Sequence, residues 1–78
     1  MGKIIATIPK NARESVKIEL TEFKGHDLVD LRVYADNGAK LVPTRKGITV
    51  GVNMLPSLVA ALVEAEREAR AAGLLAAE

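Results

Sequence analysis

Between Ser15 and Tyr34 the chain alternates apolar and polar residues twice. Val16, Ile18 and Leu20 point one way, and Lys17, Glu19, Thr21 and Phe23 point the other. After the turn residues Lys24-Gly25-His26-Asp27, the set Val29, Leu31 and Val33 opposes Leu28, Asp30, Arg32 and Tyr34. A period of two belongs to a strand with one buried face, so these runs predict strands over 15–23 and 28–35. Lys3 to Ile8 is β-branched and apolar and predicts a strand over 3–8, ended by Pro9 and followed by a polar loop to Glu14. Asp36-Asn37-Gly38 is the strongest turn signal in the chain. Beyond it, 41–50 predicts a fourth strand, in which Pro43 and Gly47 mark an edge, a bulge or a bend.

The central hairpin has a register that its side chains support. With Gly25 and His26 as a two-residue loop, Phe23 faces Leu28, Thr21 faces Asp30, Glu19 faces Arg32 and Lys17 faces Tyr34. Leu20 then meets Leu31, and Ile18 meets Val33, on the other face. A one-residue slip would set apolar side chains against polar ones.

The tail changes period. Leu55, Leu58, Leu62, Ala65, Ala69 and Ala72 recur at three and four residues, the stripe of a helix, and Val59 and Val63 widen it in its first half. A helix over 53–72 follows, with Asn53 as its cap, Pro56 in its first turn and Gly73 as its stop. Glu66 and Arg70 make a favourable pair four residues apart. The order is four strands and then one helix, an α+β fold in a single domain spanning 1–78. The stripe is wider than one helix needs to cover one sheet, so a second copy is the expected partner, through Leu55, Leu58, Val59, Leu62, Ala65 and Ala69.

Composition sharpens this expectation. Seventy-eight residues bury only a thin core, and small scaffolds need a disulfide, a metal or another subunit. There is no cysteine and only one histidine, so a homodimer is the remaining source of burial, and neither a metal site nor a cofactor is expected. No apolar run approaches the roughly 20 residues of a membrane span, and the first ten residues lack a signal-peptide pattern. The expectation is a cytoplasmic protein without a membrane partner. The net charge of +1 hides an asymmetry: residues 1–53 hold nine Lys/Arg against six Asp/Glu, and residues 54–78 hold two Arg against four Glu. A basic front suits a phosphate-bearing ligand.

Signals of catalysis are nearly absent. His26 reads as a solvated turn residue, Asp27 and Asp30 as ordinary strand carboxylates, and no phosphate-binding glycine loop is present. Binding signals are better. The only aromatic residues, Phe23 and Tyr34, fall on the polar face that also carries Lys17 and Arg32. A base stacked on an aromatic ring gains roughly 1–3 kcal/mol whatever its sequence, and cations beside it neutralise phosphates. Lys24 adjoins Phe23, and Arg45-Lys46-Gly47 adds two cations and a glycine that lets backbone approach. Parity alone does not orient Arg45 and Lys46.

Phe23-Lys24-Gly25, the run Leu28 to Tyr34, and Pro43-x-Arg45-Lys46-Gly47-Ile48-Thr49 occur in that order at a specific spacing. Together they resemble the single-stranded-DNA-binding domain of the transcriptional coactivator positive cofactor four, over about residues 14–65, in its bacterial or phage-type form. The resemblance implies a curved four-stranded antiparallel sheet, a C-terminal helix and a homodimer formed largely through the helices. It implies that Phe23 stacks on bases and that Lys24, Arg32, Arg45 and Lys46 contact the nucleic acid. Ala35 stands where eukaryotic members carry a tryptophan, His26 and Val42 stand where they carry basic residues, and Gly51-Val52 replaces the usual Asn-Pro at the helix start. One stacking platform and two cations are therefore missing, and weaker binding or a different preferred ligand is expected.

The expected function is low-specificity binding of single-stranded DNA through Lys17, Phe23, Lys24, His26, Arg32, Tyr34, Arg45 and Lys46. The setting would be transcription regulation, with the transcription machinery as a candidate partner, or DNA repair and replication. Melted duplex is a further ligand. Single-stranded RNA, or a dimeric protein-interaction module, is the alternative.

Overall fold

The computed structural model describes residues 2–76. Four strands, β1 (Lys3–Pro9), β2 (Glu14–Phe23), β3 (His26–Asp36) and β4 (Leu41–Gly51), form one antiparallel sheet in the order β1-β2-β3-β4. A single 3₁₀ turn, Val52–Met54, leads into α1 (Leu55–Ala71). The four-stranded sheet followed by one helix is the α+β order read from the sequence.

The β2–β3 register departs from the expected one by two residues. Phe23 faces His26, Thr21 faces Leu28, Glu19 faces Asp30, Lys17 faces Arg32 and Ser15 faces Tyr34. The loop is Lys24-Gly25, with φ of 52° and 81°, the two left-handed residues of a tight hairpin turn. A slip of two keeps every side chain on its face, so hydrophobic matching is blind to it. Only the turn chooses between the two registers, and it does so by placing Gly25 second.

Both other strand pairs contain an irregularity. In β1 it falls at Ile5, between Ile4 and Ala6. In β4 it is larger: Arg32 pairs Gly47 and Tyr34 pairs Pro43, so Thr44, Arg45 and Lys46 together stand opposite Val33. Gly47 makes this possible, with φ of 151° and room for no side chain, since a Cβ there would lie 2.3 Å from the Leu31 carbonyl oxygen.

The helix begins differently from expectation. Met54 caps α1 and Pro56 sits in its first turn, but neither Met54 nor Asn53 supplies a side-chain cap hydrogen bond. The 3₁₀ turn takes the place expected of an Asn53 cap. At the other end Gly73, at φ 78°, closes the helix, with Leu74 donating back to the Ala69 carbonyl at 2.8 Å. Glu66 and Arg70 pair at 2.9 Å.

The helix does not cover its own sheet. It packs chiefly on the 3₁₀ turn, and no strand makes an extended contact with it. Val59, Leu62 and Val63 are half or more exposed on α1, as are Ile8 and Ile48 on the apolar face of the sheet. Val29 is the one fully buried hydrophobic side chain among the described residues. The radius of gyration is 14.6 Å, against about 11.5 Å for a compact domain of this length.

Candidate functional site

The face of the sheet opposite the apolar set is built by alternation. From β2 it takes Ser15, Lys17, Glu19, Thr21 and Phe23, and from β3 their partners Tyr34, Arg32, Asp30, Leu28 and His26. From β4 it takes Thr49 beside Asp30 and Gly47 beside Arg32. Phe23 and Tyr34 therefore share one face with Lys17 and Arg32, as parity requires. Asp27 pairs with Glu22 on the opposite face from Asp30, so these two carboxylates do not converge.

The aromatic residues are not neighbours. Tyr34 lies opposite Ser15, eight residues along β2 from Phe23, or about 26 Å at roughly 3.3 Å per residue. Their environments also differ. Phe23 is 63% exposed beside the hairpin turn, across from His26, with the Lys24 ammonium 5.4 Å from its ring centre. Tyr34 is half-buried, and the Lys17 ammonium sits 4.6 Å from its ring centre. A cation held over a ring in this way is stabilised by the ring quadrupole. Both rings hold a cation, but Phe23 is the more exposed and its cation stands farther off, so it keeps more open surface for stacking than Tyr34.

Arg32 is the most heavily engaged side chain on this face. Its Nε donates to Asp30 Oδ2 at 3.0 Å and its Nη2 to Asp30 Oδ1 at 2.9 Å, a two-pronged ion pair. Nη1 donates to the Thr44 carbonyl at 3.0 Å, and Nη2 also reaches Thr49 Oγ1 at 3.3 Å. The Thr49 hydroxyl donates to Asp30 Oδ1 at 2.6 Å. The Arg32 guanidinium, and after it the Thr49 hydroxyl, hold the Asp30 carboxyl below the usual carboxylate range. The same pairing raises the Arg32 pKa above its ordinary value.

Arg45 and Lys46 stand in the β4 bulge, and both are exposed. The bulge is stitched from within: the Thr44 hydroxyl donates to the Val33 carbonyl at 2.7 Å and accepts from the Lys46 amide at 3.2 Å. The Lys46 ammonium lies 4.0 Å from Glu14 Oε2, and its side chain is 73% exposed. Lys10 reaches the other oxygen of Glu14 at 3.0 Å, so the β1–β2 loop and the bulge meet at one carboxylate. Hydrogen bonds from Asn11 and Lys10, with the charge of Lys10, hold the Glu14 pKa below its ordinary value. Among the described residues Arg45 has no ion pair.

These positions sort the charge of the sheet. At the hairpin end Lys3 and Lys24 balance Glu22 and Asp27, and in the middle Lys17 and Arg32 balance Glu19 and Asp30. The opposite end gathers Lys10, Arg13, Lys40, Arg45 and Lys46 against Glu14 and Asp36. The whole positive excess of residues 1–53 therefore lies at the end with the two loops and the bulge. Asp30, Thr44, Thr49 and Glu14 were not among the residues expected from the sequence. The available signal for the first was Asp30-x-Arg32, opposite charges two apart on one strand and hence on one face.

Among the described residues no group of three or more His, Cys, Asp or Glu could hold a metal ion. None of the described helices is long and apolar enough to cross a membrane.

The sequence profile of the family described as Transcriptional Coactivator p15 (PC4) matches residues 10–61. A search of curated proteins finds no significant match. Two crystal forms of a PC4 homolog from Burkholderia pseudomallei resemble the fold. The orthorhombic form is 34% identical with a TM-score of 0.79, over 86% of this chain and 92% of that one. The tetragonal form is 31% identical with a TM-score of 0.76, over 85% of this chain and 98% of that one.

Proposed function

The chain belongs to the Transcriptional Coactivator p15 (PC4) family, and from that membership we propose that it binds single-stranded DNA with little sequence preference, as a homodimer. The observation that carries this reading is Phe23. A phenylalanine 63% exposed on the polar face of a sheet, with a Lys24 ammonium 5.4 Å from its ring centre, leaves most of its ring unburied by the fold. It offers a π-face to any unpaired base, with a cation at hand for the adjoining phosphate. In duplex DNA the base faces are stacked on one another and unavailable to a ring.

Lys17, Lys24, His26, Arg45 and Lys46 line the path of the backbone, with Tyr34 steadying Lys17. The second copy covers the apolar surface that the single chain leaves open, along Leu55, Leu58, Val59, Leu62, Ala65 and Ala69. A role in transcription regulation, or in repair and replication, follows from the ligand.

The test is a fluorescence anisotropy titration with a labelled 20-nucleotide strand, its duplex and the same strand as RNA, each at two salt concentrations. Tighter binding of the DNA single strand, weakening steeply with salt, is the expected result. Equal or tighter binding of the duplex would end the stacking argument. Preference for the RNA strand would move the reading to RNA.

A further inference from the structure

The Arg32 side chain has five N–H donors, and four are spent inside the protein, on Asp30, Thr44 and Thr49. Its side chain is 24% exposed and that of Asp30 is 15% exposed. Transferring Arg32 to a phosphate would leave Asp30 half-buried beside an incoming anion, an arrangement that costs more than an exposed cation would gain. Arg45 has no ion pair among the described residues, and Lys46 stands only at 4.0 Å from a Glu14 that Lys10 also holds, but both stand on a three-residue excursion of β4 with few anchors. One anchor is the Thr44 hydroxyl. Another is the Arg32–Thr44 carbonyl bond, which ties the first residue of the excursion to β3.

Building on the single-strand-binding reading, we propose that Arg32 is a positioning residue rather than a phosphate ligand: with Asp30 it forms a neutral strut that fixes the β4 bulge and presents Arg45 and Lys46 to the nucleic acid. Asp30 orients the guanidinium by its two prongs, and Thr49 locks the carboxylate from the neighbouring strand. The Nη1 of Arg32 then points at the Thr44 carbonyl. The strut adds no net charge to the binding face, because its charges cancel where they stand.

The sign of one substitution separates the two roles. Asp30→Asn removes a negative charge from the binding face and preserves side-chain shape. If Arg32 were a phosphate ligand restrained by Asp30, this variant would bind a labelled 20-nucleotide strand more tightly, with a steeper salt dependence. If Arg32 is a strut, it binds several-fold more weakly, despite the gain in net charge. Arg32→Lys keeps the charge but cannot make the fork. It is expected to lose as much affinity as Arg45→Ala/Lys46→Ala, and to add no further loss in that background. Tighter binding by Asp30→Asn, or an additive loss in the triple variant, overturns the proposal.

A readout without DNA keeps the two layers apart. Amide NMR shifts of free Asp30→Asn should move at Thr44–Gly47 and stay in place at Phe23–His26. Unmoved bulge amides overturn the strut even where DNA binding is normal. Wild-type protein that binds no single strand, while the bulge amides do move, overturns the binding reading and leaves the strut as architecture.

Discussion

At the scale of single residues the face divides into groups that are open and groups that are already engaged. Phe23 is open, and Phe23→Ala is expected to weaken single-strand binding by about 1–3 kcal/mol while leaving the melting temperature almost unchanged. Calorimetric melting beside the titration checks both halves. A large loss of stability would show that the ring supports the fold. Tyr34 shares the face but carries Lys17 above its ring, so its substitution should act through the placement of that cation. Alternation placed Phe23, Tyr34, Lys17 and Arg32 correctly on one surface, because parity is a property of the strand and survives errors of register. It could not tell which of the four were free. Engagement depends on Asp30, Thr44 and Thr49, and two of these lie on a strand whose pairing with β3 is irregular.

At the scale of elements the informative feature is β4. Pro43 and Gly47 announced an irregular strand, but its form, three residues opposite one, is a matter of three-dimensional pairing. Gly47 is its hinge. Gly47→Ala would set a Cβ 2.3 Å from the Leu31 oxygen and 2.8 Å from the Arg32 Cα, both backbone atoms that cannot move aside. At φ 151° the backbone itself resists a side chain. Strain of this kind costs on the order of 1–3 kcal/mol before the clash is counted. Urea denaturation should therefore give a lower midpoint for Gly47→Ala, and surviving folded protein should bind DNA with a flatter salt dependence. An unchanged midpoint would refute the close approach. The central hairpin teaches the complementary lesson. Its existence and its faces were legible, while its register was not, because a shift of two residues alters cross-strand partners without exposing any apolar side chain. The expected Glu19–Arg32 pair became Asp30–Arg32 on a single strand.

At the scale of the whole molecule, the single chain is an open arrangement, with a projecting helix and one fully buried hydrophobic side chain among the described residues. Thermal stability is therefore expected to depend on protein concentration, the midpoint rising as the dimer is favoured by mass action. Light scattering should report two copies at micromolar concentration. A midpoint indifferent to a hundredfold dilution would argue for a self-sufficient monomer. The breadth of the helical stripe was legible in the sequence, whereas the failure of α1 to cover its own sheet was not, because periodicity gives a face and not its target. The distance between the two ends of the binding face has a consequence of another kind. The exposed ring stands at one end and the cationic loops at the other, about 26 Å away at roughly 3.3 Å per residue. A strand stacked at about 3.4 Å per nucleotide needs about eight nucleotides to reach from one to the other. On the proposed mode of binding the sheet would act as a ruler: oligonucleotides below that length should engage one end only, and affinity plotted against length should rise in a step rather than a slope.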